Sequence, residues 1–175
     1  MAGFSLDLTA EGWVDVELIV GRATKQLDLA AARALRKTAS WLRTHSSREI
    51  SRELRIAQSP IRHRYNVYSQ ATAKAVKLWV GLKPISVHYL GTPKQNSAGV
   101  NVGHRQYDDA FISPMKTKYP LVFRRKGRER LPVGRVMEDW EHEGLSTLER
   151  WEKRAQRQFV EYFEQEARNV FSSAR

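Results

Sequence analysis

At 175 residues without a single cysteine, the chain is long enough for one domain with a real core, and it excludes disulfides, thiolate nucleophiles and cysteine-ligated metal. The formal charge is +11 and the pI about 10.2, yet the excess is uneven: residues 1–137 hold 24 bases against 10 acids, and residues 138–175 hold 6 against 9. Such a basic body with an acidic end segment suits nucleic-acid contact, docking of one copy's acidic end on another's basic surface, or merely a solvated exterior.

Residues 1–12 are small and polar and are expected to be a flexible arm ahead of a single α+β domain over 13–175. No secretory signal is apparent, and no apolar run approaches the roughly 20 residues of a membrane span, so assembly in a cytoplasm is expected. From Trp13, the apolar Val14, Val16, Leu18 and Val20 recur at every second position and predict a first strand ended by Gly21. Leu27, Ala31, Leu35, Thr38, Leu42, Ile50 and Leu54 then recur at helical steps, predicting one long amphipathic helix over about 24–57. Arg33, Arg36 and Lys37 lie on its basic face, which is either solvated with local Arg–Glu pairs or an interaction surface. His45 reads as a spectator.

Ser59-Pro60 stops this helix and starts a short turn. Tyr65–Tyr68 and Val76–Val80 read as strands, and Ile85, Val87 and Tyr89 resume the alternation, with His88 on the outward face. Gly91 to Gly103 is rich in Gly, Asn, Ser and Pro, and predicts a loop or a hairpin with a mobile tip. Asp109–Ile112, Tyr119–Arg124 and Arg130–Val133 predict three short antiparallel strands, the last two joined by a turn at Arg125–Arg128. Between Lys116 and Arg135 stand eight bases against Glu129 alone. Arg124, Arg125, Lys126, Arg128 and Arg130 thus form a cationic projection suited to an acidic partner.

An acidic stretch follows at Glu138, Asp139, Glu141 and Glu143, and Gly144 is expected to break it. Ser146-x-x-Glu149 has capping-box spacing, and Leu148, Trp151, Ala155, Phe159, Tyr162, Phe163, Ala167, Val170 and Phe171 predict a second long helix. The fold class is therefore α+β: an antiparallel sheet of four to six short strands between about Tyr65 and Val136, with both long helices packed together on one face.

Catalytic patterns are missing. The sequence has no GxxxxGK[ST], GxGxxG, GxSxG or HExxH, and the histidines at 45, 63, 88, 104 and 142 are scattered without ligand spacing. Asp108-Asp109 could be imagined as a paired-carboxylate nuclease centre, but no third acid or lysine accompanies it, and a charged loop edge near Arg105 explains it as well. The expectation is a protein with no catalytic residue, no cofactor, no metal and no small-molecule substrate.

The order Phe111-Ile112, Val122-Phe123-Arg124-Arg125, Gly127 and Arg130-Leu131-Pro132-Val133 resembles the minor tail protein Z family of long-tailed phages and prophages, also called tail completion proteins. The helical stretch 30–52 is similar to that family's first helix at Ala34-Leu35, Thr38-Ala39 and Arg43-Thr44, and the resemblance spans roughly residues 14–171. It implies a structural virion protein at the head-proximal end of a phage tail, beside the tail terminator. Such a protein helps head–tail joining and placement of the DNA end. The partners implied are other copies in a ring (a hexamer by analogy with neighbouring tail rings), the tail terminator, tail tube or connector proteins, and phage DNA in the channel. The alternative is a basic nucleic-acid-binding module acting outside a virion; a phage nuclease is a third possibility.

Overall fold

The computed structural model describes residues 3–9, 24–69, 75–114 and 119–172. The architecture is α+β, with two long helices packed on each other and several small antiparallel sheets. Helix α1 runs Thr24–Leu54, and helix α3 runs Glu141–Ser172. Their seam is complementary in size. Small residues of α1, among them Ala34 and Ala39, are fully buried, and α3 buries the larger Leu148, Trp151 and Phe159. The predicted stripe on α1 is the one that is buried, from Ala31 through Leu35, Thr38 and Leu42 to Ile50 and Leu54.

Helix α1 ends by geometry rather than by glycine. The Arg55 amide donates to the Arg52 carbonyl at 3.2 Å and the Ile56 amide to that of Ser51 at 3.0 Å, a pair of bonds that closes a helix through one left-handed residue. That residue is Arg55, at φ 54°, where a side chain is disfavoured. The short helix α2 (Gln58–Arg62) follows, tied back to α1 by the Gln58 side-chain amide, which donates to Thr44 O at 3.1 Å and Ser47 Oγ at 2.9 Å.

The first sheet has the order β1 (Gly3–Thr9), β3 (Ala75–Gly81), β2 (Tyr65–Ser69). It corrects the expected arm at 1–12: residues 3–9 pair with β3 along their whole length, from Gly3↔Gly81 to Thr9↔Ala75. The reason lies in the sequence itself, since Phe4, Leu6 and Leu8 alternate with Ser5 and Asp7, and Leu6 and Leu8 enter the core. The strand predicted at Trp13–Val20 lies outside the described residues.

The remaining strands do not join into the single sheet expected. They form β4 (Ile85–Ser86) with β11 (Met137–Glu138), β5 (Pro93–Gln95) with β6 (Gly99–Val102) and β7 (Arg105–Asp108), and β8 (Ala110–Ser113) with β9 (Leu121–Arg125) and β10 (Val133–Arg135). Prolines 84, 93, 114, 120 and 132 punctuate this region, and a residue without an amide proton cannot continue a central ladder. The glycine-rich 91–103 stretch is thus the β5–β6 hairpin. The alternation after Ile85 yields only two strand residues, because Val87–Leu90 coil into a 3₁₀ turn that buries Val87 and Leu90.

Helix α3 begins at Glu141, not at Ser146, and Gly144 lies inside it. A side chain there would stand 2.8 Å from Leu82 Cδ2 and 3.0 Å from the Trp140 ring, so this glycine admits close packing and does not break the helix. Trp140 is fully buried beneath it and donates its indole N–H to the Lys83 carbonyl at 3.0 Å.

Candidate interaction surface

The cationic hairpin is formed by β9 and β10 in the register Val133↔Arg125, Gly134↔Arg124 and Arg135↔Phe123. The returning strand therefore starts at Val133, three residues later than the sequence suggested, and the connecting loop covers 126–132. Leu121, Val122 and Phe123 are buried at its base, so hydrophobic burial holds the strand while the residues beyond it reach water. Every residue from Arg124 to Pro132 is exposed. Arg125 braces the loop: it donates to the Arg130 carbonyl at 2.6 Å, and its guanidinium lies 5.5 Å from the centre of the Phe111 ring. Among the described residues, no carboxylate pairs with Arg124, Arg125, Lys126, Arg128 or Arg130. Leu131 stands 68% exposed beside them, an apolar contact the charge count did not reveal.

The basic residues of α1 behave differently. Lys37 Nζ lies 2.5 Å from Glu166 Oε1 and Arg33 3.8 Å from Glu166 Oε2, and this carboxylate of α3 is itself buried. Both cations, though half exposed, thus serve the helix seam; Arg36 beside them is exposed too. A second cluster lies further along the seam. Arg150 Nη2 contacts Glu49 and Glu53 at 2.8 Å each, Thr147 Oγ1 donates to Glu53 at 2.9 Å, and the Trp151 indole donates to Glu49 at 2.7 Å. Burial raises the Glu49 carboxyl, but donation from Arg150 and Trp151 outweighs it and leaves the group below its ordinary value. His45, read as a spectator, packs against both Trp41 and Trp151, at 4.9 and 5.5 Å, while the two indoles meet edge-on at 5.1 Å.

The acidic stretch is not one surface. Glu138 is half-buried, forms an ion pair with Arg105 and accepts the Tyr107 hydroxyl at 2.9 Å. Burial, then the Glu138 carboxylate, push that hydroxyl up to about 12. Asp139 accepts the Glu141 amide at 3.0 Å, which leaves Glu141 and Glu143 exposed in the first turn of α3, where the helix dipole favours them. Among the described residues, none of the four pairs with the cationic hairpin.

His88 departs from the expected outward strand position. It sits half-buried in the 3₁₀ turn with Nδ1 2.8 Å from Ser86 Oγ, and burial, with Arg135 nearby, lowers its affinity for a proton. Asp109 adopts φ 57° after β7, and no group of three or more histidines and acids able to hold a metal occurs among the described residues. Nor does any helix there have the length and apolarity to cross a membrane. No protein-family model, curated protein or solved structure matches the chain.

Proposed function

We propose that this chain is a structural virion protein that completes the head-proximal end of a long phage tail. It assembles as a ring or collar beside the tail terminator and helps head–tail joining and DNA-end placement. The observation that carries the reading is the β9–β10 hairpin, where five bases and Leu131 share one exposed projection and, among the described residues, no carboxylate pairs with them. Charge arranged in this way draws an acidic partner by long-range attraction, and phosphate by release of counterions. The same segment holds most of the residues that resemble tail completion proteins, from Phe111 to Val133. The cations paired to Glu166 are seam elements in this reading, so the hairpin carries the outward function.

Reversing charge with the double substitution Arg125→Glu and Arg128→Glu is expected to abolish joining of heads to tails, counted by electron microscopy, and to lower the titre of a phage that depends on this chain. Unchanged joining and titre would sink the reading. Mass measurement of the protein alone and mixed with a tail terminator is expected to show a ring and a complex with that partner. A free-standing nucleic-acid module would instead give a salt-dependent shift of short DNA by the monomer, with no assembly.

A further inference from the structure

Away from the hairpin, a cleft of about 440 Å³ opens between α1 and α2, lined by Arg43, Gln58, Ser59, Arg62 and His63. It is continuous in its lining with a second cleft of about 310 Å³, which shares Ser59 and His63 and adds Arg64. Neither wall carries a carboxylate. Among the described residues, no acid pairs with Arg43, Arg62 or Arg64. Arg43 reaches the cleft from α1 and Arg62 from α2, so two arginines on separate elements line one cleft that no carboxylate shares among the described residues.

The polar groups around them are already set. Arg43 Nε is buried without a hydrogen-bond partner, so this one donor is unmet in the fold. Gln58 spends its amide protons on Thr44 and Ser47 and so builds the wall. His63 Nδ1 lies 2.7 Å from the Ser59 carbonyl, an acceptor, so Nδ1 carries the proton and donates within the turn, and the ring serves as wall rather than as a donor to an anion. The Ser59 hydroxyl, 3.4 Å from the same ring, supplies one more donor.

We propose that this cleft binds a phosphate group. Guanidinium forks match phosphate oxygens in pairs, and guanidinium groups from two helices together with the Ser59 hydroxyl fit a tetrahedral dianion better than the two coplanar oxygens of a carboxylate. The site stands apart from the cationic hairpin, so it does not rest on the tail reading and can fail separately.

Calorimetric titration with inorganic phosphate, at constant ionic strength in chloride, is expected to show saturable binding of one ion per chain. Arg62→Gln, a change at an exposed position that leaves the core intact, is expected to weaken it about tenfold, as is Arg43→Gln if circular dichroism shows it folded. Arg125→Ala with Arg128→Ala is expected to leave it unchanged. A 5′-phosphorylated dinucleotide, compared with the same dinucleotide lacking the phosphate, shows whether a nucleotide phosphate enters. Displacement of inorganic phosphate by duplex DNA assigns the cleft to a nucleic-acid backbone, and its absence assigns it to the free ion. No saturable binding of either phosphate, equal binding of acetate, or binding lost only in the hairpin variant overturns the proposal.

Discussion

The α1–α3 seam and the β9–β10 hairpin are both rich in charge, and they use it in opposite ways. In the seam, Lys37 and Arg33 meet Glu166, and Arg150 meets Glu49 and Glu53, so each charge is answered within the fold. On the hairpin five bases stand in water and, among the described residues, pair with no carboxylate. The contrast separates structural charge from charge available to another molecule, which the net value of +11 cannot do.

Removing the packing beneath the seam should have the largest effect. Phe159→Ala, at a fully buried site, is expected to cost about 3–5 kcal/mol in chemical denaturation. Glu49→Gln should cost about 1 kcal/mol, because its ion pairs are partly solvated. It should also remove part of the acid sensitivity. Since the folded carboxyl titrates below its ordinary 4.5, its contribution is complete above that value and disappears as pH falls through the lower folded value, so stability curves of wild type and variant should converge in acid. Arg55→Gly relieves a left-handed side chain and should raise stability by about 1 kcal/mol, measured the same way. Smallest of all, Arg125→Ala with Arg128→Ala should shift stability by no more than about 0.5 kcal/mol, while assembly suffers. A large loss of stability there would erase the contrast between the two regions.

Both long helices and the α+β class were legible because their apolar stripes run over about seven turns, and period is the strongest signal a single sequence carries. The strands were less so. Gly3–Thr9 holds only three apolar residues in a polar setting, and its strand character depends on β3, which is distant in the chain. The start of α3 was misplaced because Gly144 suggested a break, whereas the partners that require a glycine, Leu82 and Trp140, come from outside the helix. Of the candidate surface, the five hairpin bases were found from charge alone. The pairing of Arg33 and Lys37 with Glu166 was not, since Glu166 lies 129 positions beyond Lys37 and only the folded chain brings them together.

The root of the hairpin has a mechanical meaning. Val136 donates its amide to the Val122 carbonyl at 2.9 Å and accepts the Val87 amide at 3.3 Å, and only four residues separate it from the first residue of α3. Val136 thus ties the root of the tip both to β9 and to the 3₁₀ turn, just ahead of a 32-residue helix, so a load on the tip meets the body of the fold at this one residue.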